Sequence, residues 1–236
     1  MRAMILSAYG GPEQLKLAQV SRPAAGHGQM LVRVRACGVC GHDLLARQGK
    51  LGTPLPQVLG HEIAGDVVEV DSGVDAFRPG DRVTLNQRIS CGMCHSCRRG
   101  APNLCVRGGG FYGENISGGY AEYVVATPAN AVPLPLEIDY VTGAILSCGI
   151  GTGLHAVGRA RVRAGEAVVV TGAGGGVGIH AISSARLLGA RVIGITGSPE
   201  KRQAVHEAGA DEVVVAPGGH FAPQVRQLTG GPGPTW

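Results

Sequence analysis

The first part of the chain alternates short apolar runs with turns that contain glycine or proline. Four such runs are residues 31–35, 63–70, 82–85 and 121–126. Turn sequences separate them, for example Arg-Pro-Gly-Asp at 78–81. Short runs bounded by glycine and proline are typical of β-strands, and many short strands favour a closed sheet. The pattern therefore predicts a β-rich, barrel-like domain over residues 1–150.

The pattern changes near residue 166. The run Ala-Val-Val-Val at 167–170 is continuously apolar, as in a strand buried on both faces, and a glycine-rich turn and a helical pattern follow it. The later predicted elements are a strand at 191–195, a helix that opens with Ser198 as N-cap and Pro199 after it, a strand at 212–215 and a helix from about 221 to 228. This order predicts a parallel α/β unit over residues 151–236.

Composition and charge exclude several classes of protein. Hydrophobic residues make up 44% and charged residues 16%, as in a folded globular chain. The net charge of +4 is mild and no basic stripe exists, so we expect no nucleic-acid partner. The N-terminus lacks the apolar stretch of a signal peptide, and no run of about 18 apolar residues is present. We expect a cytoplasmic protein without a membrane partner.

Four of the seven cysteines form a dense cluster. Cys91, Cys94, Cys97 and Cys105 are spaced C-x2-C-x2-C-x7-C, which lets four thiolates converge on one tetrahedral ion. In a chain without a secretory signal, such spacing favours metal over disulfides. Four ligands leave no position for substrate, so the cluster predicts a structural zinc lobe at about 88–108. An iron–sulfur cluster is the alternative.

Three further segments contain candidate metal ligands. They are Cys-Gly-Val-Cys-Gly-His-Asp at 37–43, Gly-His-Glu at 60–62 and Ser-Cys-Gly at 147–149. Together with the lobe and with Gly-Gly-Tyr-Ala-Glu-Tyr at 118–123, their order and spacing resemble the zinc-containing alcohol dehydrogenases of the medium-chain dehydrogenase superfamily. The resemblance runs from Met1 to about Leu228. It implies a GroES-like catalytic domain followed by a Rossmann-type domain, of which about one β-α-β-α-β half is present.

The resemblance also assigns residues to a catalytic metal centre. It implies that Cys40, His61 and Cys148 bind a catalytic zinc and leave an open fourth position. Zinc there would act as a Lewis acid toward an alcohol or a carbonyl group. Asp43 would hold the ring of His61, and Glu62 would lie against the zinc. Two zinc ions per chain are therefore expected.

Two residues depart from the family's pattern. His42 stands where the family usually has Ser or Thr, the hydroxyl of which begins a proton relay from the bound alcohol. A histidine also transfers protons, or it marks a branch that acts on other substrates. Asp71 stands where Gly or Ala is usual, and Asp tolerates the left-handed turn expected there. The seventh cysteine, Cys37, is interpreted as a buried thiol.

The glycine-rich segment 171–178 follows a strand and opens a helix, as a dinucleotide-binding turn does. The best register of G-x-G-x-x-G has alanine in its first position. Backbone N–H groups at the start of the helix are expected to hold the pyrophosphate. The predicted cofactor-binding residues of this turn are Ala173, Gly175, Gly176, Val177 and Gly178.

The next strand bears on the choice of cofactor. It ends at Thr196 and Ser198, where NAD-specific folds place an Asp or Glu that holds the ribose 2′-hydroxyl. Lys201 and Arg202 follow within one helical turn. Because no carboxylate repels a 2′-phosphate and two cations are near, the sequence favours NADP(H) over NAD(H).

The length of the second unit limits what the chain is expected to do. Only 71 residues lie from Glu166 to Trp236, so we expect a truncated or frameshifted gene product with negligible turnover of its own. The predicted function is hydride transfer between a nicotinamide and a small-molecule alcohol, aldehyde or ketone. The alternatives are NADPH-dependent reduction of an activated C=C bond (an enoyl thioester or a quinone) and a non-catalytic zinc-binding remnant. The resemblance implies the homo-oligomer that is typical of the family, but we do not expect it of a truncated chain.

Overall fold

The computed structural model describes residues 1–231, which divide into two compact units, Met1–Cys148 and the residues from Gly149 onward. The last five residues of the predicted second domain, 232–236, lie outside the described residues.

The first unit is built on antiparallel sheets. Its strands are β1 (Arg2–Leu6), β2 (Leu15–Gln19), β3 (Met30–Gly38), β4 (Gln57–Val58), β5 (Glu62–Val70), β6 (Arg82–Leu85), β7 (Arg88–Ile89), β8 (Gly110–Phe111), β9 (Tyr123–Ala126) and β10 (Ala131–Pro133). Five of them form a sheet in the order β10-β6-β5-β3-β9, and three form a second sheet in the order β2-β1-β4. Strands β7 and β8 pair as a separate ribbon. The prediction of a β-rich first domain is confirmed.

The core of this unit is formed by apolar side chains that point inward from the strands. Val32, Ile63, Val67 and Leu85 are fully buried in one cluster. Each such side chain contributes about 1.5–3 kcal/mol relative to exposure. The predicted strand at 82–85 has the observed bounds, whereas the run at 121–126 becomes a strand only from Tyr123.

Helices in the first unit are short. They are α1 (Gly41–Arg47), α2 (His95–Arg98) and α3 (Tyr140–Ile145), with 3-10 turns at Pro12–Gln14, Pro102–Leu104 and Pro128–Asn130. A π-helical turn, Leu146–Ile150, follows α3 and leads into α4 (Gly151–Arg159). Among the described residues this stretch, Tyr140–Arg159, is the one helical stretch long and apolar enough to cross a membrane by length and composition alone.

The second unit is a parallel α/β arrangement. After α4 it contains β11 (Ala167–Thr171), α5 (Gly176–Leu187), β12 (Arg191–Thr196), α6 (Arg202–Glu207), β13 (Glu212–Val215) and α7 (Ala222–Thr229). The strands pair in parallel in the order β11-β12-β13. The predicted α/β order is therefore confirmed for the described residues.

Three details differ from the sequence predictions. The strand predicted to be buried on both faces, β11, lies at an edge of the described sheet and is mostly half-buried, whereas the central strand β12 is buried. Ser198 precedes a 3-10 turn, Pro199–Lys201, rather than α6, and its side chain makes no capping hydrogen bond. Asp71 is not left-handed, and its carboxylate instead accepts hydrogen bonds from the amides of Gly28 and Gly73.

Candidate metal centres and dinucleotide turn

The four cysteines of the lobe converge on one point. Their sulfur atoms all lie within 4.8 Å of one another. Cys94 Sγ is 3.5 Å from Cys97 Sγ and 3.9 Å from Cys105 Sγ. Tetrahedral zinc with Zn–S bonds of about 2.3 Å separates its sulfurs by roughly 3.8 Å. These distances fit a single ion, whereas a cluster of several irons would hold the thiolates further apart. The donor set therefore fits zinc.

Backbone amides stabilise negative charge in this lobe. The amide of Cys91 donates to Cys105 Sγ and that of Cys94 to Cys91 Sγ, both at 3.3 Å. Amide donors, first that of Cys97, lower the pKa of Cys94 to about 6. The amide of Cys91 in the same way lowers the pKa of Cys105. Thiolates are the form that binds zinc, so the loop favours the ligand state at Cys94 and Cys105, whereas burial raises the pKa of Cys97. His95, between the ligands in sequence, is exposed.

A second group of candidate ligands is assembled from distant segments. Donor atoms of Cys40, His61, Glu62 and Cys148 lie within 4.8 Å of one another. Cys40 Sγ is 3.9 Å from Cys148 Sγ, and Cys148 Sγ is 3.5 Å from His61 Nε2. Tetrahedral zinc predicts roughly 3.8 Å between two thiolates and about 3.5 Å between a thiolate and an imidazole nitrogen. The two sulfurs and the imidazole nitrogen again fit one ion, and the carboxylate of Glu62 lies within reach of the same point.

Local structure places each of these side chains. Cys40 is the N-cap of α1, where its sulfur accepts from the backbone of Asp43. His61 directly precedes β5, and Cys148 stands in the π-helical turn. Gly60 has φ +92°, and a Cβ there would lie 2.5 Å from the ring of Tyr120. Only glycine therefore lets the chain turn into His61 at this point.

Asp43 fixes the orientation of the candidate ligand His61. Its Oδ1 lies 3.2 Å from His61 Nδ1 and accepts from the amide of Gly60 at 3.2 Å, while Oδ2 accepts from the amide of Cys40 at 2.9 Å. Burial opposes ionisation, but the hydrogen bonds from His61 and Cys40 outweigh it and hold the pKa of Asp43 below its usual value. With Nδ1 engaged, Nε2 faces the thiolates, which is the arrangement of a supported metal ligand.

His42 lies beside this centre with partners that the sequence did not indicate. Its ring is stacked on Phe111, with centroids 5.2 Å apart at 29°, and meets His61 edge-on at 5.1 Å. His42 Nε2 is 2.9 Å from Glu114 Oε1, although the angle is not that of a hydrogen bond. Phe111 ends strand β8 and Glu114 lies in the turn that follows it, and no local motif marks either residue.

Cys37 belongs to neither ligand group among the described residues. Burial raises the pKa of its thiol, and the sulfur contacts the backbone near Gly60 and Gly119. Cys37 is half-buried, and a thiol with a raised pKa packs as a small apolar side chain.

The glycine-rich turn of the second unit has the shape of a phosphate cradle. Gly175 is the N-cap of α5, a helix of 12 residues, the first amides of which lack partners within the helix. A Cβ on Gly176 would meet nothing within 4 Å, so this side is open to a ligand. A Cβ on Gly178 would lie 2.3 Å from the carbonyl oxygen of Gly172, so only glycine fits there. Ala173 is fully buried, and Val177 is 42% exposed.

The residues after β12 divide into two environments. Lys201 packs its aliphatic chain over the turn, since a Cβ on Gly174 would lie 2.6 Å from Lys201 Cδ. Arg202 instead lines a surface cavity of about 610 Å³ with Glu212 and Val213 along β13. Thr196 is buried, and its Oγ1 accepts from the amide of Ser198 at 3.2 Å. The structure thus brings Lys201 to the turn and directs Arg202 toward the sheet edge.

Comparison with known proteins identifies the family. Residues 26–136 match the alcohol dehydrogenase GroES-like domain, and residues 176–235 match the zinc-binding dehydrogenase domain. The NAD-dependent alcohol dehydrogenase of Sulfurisphaera tokodaii is 37% identical over 99% of this chain and 69% of its own length. The chain belongs to the zinc-dependent alcohol dehydrogenase family. Members of this family of medium-chain dehydrogenases are oxidoreductases.

Two further proteins are similar to this chain over part of their own length. The zinc-type alcohol dehydrogenase-like protein YphC of Escherichia coli K12 is 34% identical over 74% of this chain and 52% of its own. The crystal structure of AibC is 45% identical, with a TM-score of 0.90 over 98% of this chain and 65% of that one. The chain thus spans about half the length of several curated relatives that it matches.

Proposed function

We propose that the protein containing this chain is a zinc-dependent oxidoreductase that transfers hydride between a nicotinamide cofactor and a small alcohol, aldehyde or ketone. Residues 1–150 would form the catalytic domain, and the unit from residue 151 would bind the dinucleotide. The observation that carries the proposal is the donor set of Cys40, His61 and Cys148 at the separations of one tetrahedral ion. A cytoplasmic location remains a prediction.

The residues around this candidate zinc site would have separate roles. Two thiolates and a neutral imidazole balance the charge of a divalent ion and leave one position for substrate. When bound, zinc supplies Lewis-acid chemistry toward an alcohol or carbonyl oxygen. Asp43 keeps His61 oriented, and Glu62 contributes a carboxylate that can exchange with a ligand. His42 takes the place of the family's hydroxyl residue and would face the substrate oxygen.

The cofactor proposed is NADP(H) in preference to NAD(H). The support is the lack of a carboxylate at Thr196 and Ser198 and the position of Lys201 over the glycine-rich turn. Arg202, which lines the edge of β13, contributes only if its side chain swings toward the ribose. The relative from S. tokodaii is NAD-dependent by name, so this preference rests on the residues of this chain alone.

A second candidate reaction is reduction of an activated C=C bond by NADPH. The observation that favours it is the contact of His42 with Glu114, which replaces the short hydroxyl side chain of an alcohol dehydrogenase with a bulky imidazole beside a carboxylate. The complete ligand set argues against it, because a C=C reduction does not require a metal at that place.

The test combines metal analysis with turnover. Protein purified without chelator should contain about two zinc ions per chain. Alcohols, enoyl thioesters and quinones are then offered with each nicotinamide, and reduced cofactor is followed by absorbance. Cys148→Ser should remove one zinc, while Cys37→Ala, a matched change beside the same centre, should keep both. Zinc at one per chain, or iron in place of zinc, would contradict the proposal, and turnover of the C=C substrates alone would favour the second candidate.

A further inference from the structure

A polar clamp joins the start of α3 to strand β5. The hydroxyl of Tyr140 donates to Asp66 Oδ1, and Arg35 Nε donates to Asp66 Oδ2 at 2.6 Å. The side chain of Asp66 is 16% exposed. Hydrogen bonds to a charged group that is largely withdrawn from water are stronger and more directional than exposed ones.

Arg82 extends this clamp to the loop before the helix. Its guanidinium lies 4.4 Å from the centroid of the Tyr140 ring. The same group donates to the carbonyl oxygens of Pro135 and Ile138 at 2.8 and 2.7 Å. Arg82 on β6 is the direct register partner of Asp66 on β5, so the sheet itself sets the spacing of the clamp.

Apolar packing alone defines the position of α3 poorly. The middle of the helix rests on Leu134 and Ala64 through the small residues Gly143 and Ala144, and Tyr140 and Leu146 pack against the same cluster at its two ends. A Cβ on Gly143 would lie 2.6 Å from Leu134 Cδ2, so the approach is close. Small side chains allow this close approach, but they offer few ridges that would stop the helix from rotating or sliding. The polar contacts of Tyr140 supply that definition.

The strand and the helix that the clamp joins both lead to the candidate catalytic centre. Strand β5 begins with Glu62, directly after His61, and Asp66 is four residues further along. Cys148 follows Tyr140 by eight residues of continuous helical chain. The five residues from His61 to Asp66 span about 16 Å of extended chain, and the eight residues from Tyr140 to Cys148 rise about 12 Å along the helix, so each donor lies within about 16 Å of the clamp along its own element. The clamp therefore lies at one end of this strand and helix, and the candidate metal ligands His61 and Cys148 lie at the other.

We propose that Tyr140 and Asp66 are positioning residues for the metal centre of Cys40, His61 and Cys148. By fixing the rotation and height of α3 on β5, they set the distance between Cys148 Sγ and His61 Nε2. The proposal rests on the proposed function, because it presumes that these three side chains bind a metal.

The experiment measures zinc affinity at each site separately. Wild type, Tyr140→Phe and Asp66→Asn are titrated with a chromophoric chelator, and Cys148→Ser identifies which zinc belongs to the catalytic centre. Tyr123→Phe is the matched control, since Tyr123 also carries an arginine over its ring, Arg22 at 4.5 Å, but lies on β9. Each protein is also loaded with Co²⁺ at the catalytic site, and its ligand-field absorption is recorded.

Tyr140→Phe and Asp66→Asn should weaken zinc at the catalytic centre by about tenfold, the lower end of the effect of removing a supporting partner. They should shift the cobalt spectrum and leave the four-cysteine site and Tyr123→Phe unchanged. Unchanged affinity and spectrum in Tyr140→Phe would overturn the inference while the proposed function stands. Equal weakening of both sites would also overturn it, because it would indicate general destabilisation. A wild type without the second zinc would overturn the proposed function itself.

Discussion

The four thiols of the lobe come from residues 91–105, whereas the second donor group draws on residues 40, 61, 62 and 148, which lie in three widely separated segments of the chain. The lobe needs only its own turns and its own amides to bring sulfur atoms together. The second group exists only after β5, α1 and the π-helical turn have packed. One site therefore depends on local chain geometry and the other on the tertiary fold.

This difference predicts different roles for metal at the two sites. In the lobe, the β7–β8 ribbon holds only the base of the loop, and none of the described residues 90–109 belongs to a hydrophobic core cluster. Metal-binding free energy is therefore expected to be folding free energy there. In the second group, the frame of strands and helices is held by apolar packing and by hydrogen bonds such as those of Asp43. A metal there adds chemistry to a structure that already exists.

The largest effect is expected from removing a ligand of the four-cysteine lobe, which tests whether the two metal sites have different roles. Cys91→Ser removes one thiolate from a site of a kind that binds zinc with an apparent free energy of ~10–16 kcal/mol in small zinc-dependent domains. It should lower the free energy of unfolding far more than Cys148→Ser, which should spare folding and lose only one zinc. Urea unfolding and elemental analysis of both variants provide the measurement. Equal destabilisation by the two changes would contradict the division into a structural and a catalytic site.

The next prediction concerns the support of the assembled site. Asp43→Asn keeps the size of the side chain but removes the charge that holds the His61 ring. It should weaken zinc at the second site by about ten- to a hundredfold and leave the lobe unchanged. Chelator competition measures both sites in one protein, so the lobe is the internal control. Weakening of both sites by the same factor would show that Asp43 serves the fold rather than the metal.

The same contrast between local and assembled features explains how far the sequence could predict the molecule. The ligand spacing of the lobe, the glycine-rich turn and the strands at 82–85 and 212–215 are each determined within a few neighbouring residues. Cys40, His61 and Cys148 could be grouped only through the family resemblance, because nothing local brings them together. Glu114 and Phe111 around His42 were not foreseen, since their role arises from a loop that returns to the centre after the lobe. The half-buried state of β11 depends on sheet order, which a run of valines does not reveal.

The third prediction concerns the dinucleotide turn, which, like the lobe, is built from neighbouring residues of the chain. NADPH should bind about ten- to a hundredfold more tightly than NADH, because a charge-assisted phosphate contact contributes ~1.5–3 kcal/mol. Lys201→Ala should erode most of this preference, since Lys201 lies on the turn, and Arg202→Ala less, since Arg202 lies along β13. Fluorescence titration of each variant with both cofactors gives the ratio. Equal affinity of the wild type for the two cofactors would show that Lys201 and Arg202 are ordinary surface charges.

The smallest effect expected is a pH dependence in the clamp that joins α3 to β5. Burial raises the pKa of Asp66, but hydrogen bonds from Tyr140 and Arg35 and the charge of Arg82 outweigh it, so the folded pKa lies below the usual value. A lowered carboxyl pKa adds stability that is fully present above the unfolded pKa, about 3.9, and is lost as the pH falls through the folded value. Asp66→Asn should therefore be less stable than wild type at pH 7 by about 1.5–3 kcal/mol, the usual range for hydrogen bonds to a charged group.

Below about pH 4 the difference between the two proteins should shrink, since the carboxyl of Asp66 becomes protonated first in the unfolded chain and, at lower pH, in the folded one. Both proteins lose zinc in acid, so the quantity to read is the difference between their free energies of unfolding, from denaturant titrations across the pH range. Asp139→Asn is the matched control. Asp139 caps the same helix through the amide of Thr142 at 2.8 Å and, among the described residues, makes no hydrogen bond to Asp66. That amide also lowers the pKa of Asp139, so the pH dependence of its variant is the reference for a carboxylate on this helix that leaves Asp66 and its partners in place. A stability difference for Asp66→Asn that stays constant from neutral to acid pH would show that its effect is one of shape and not of charge.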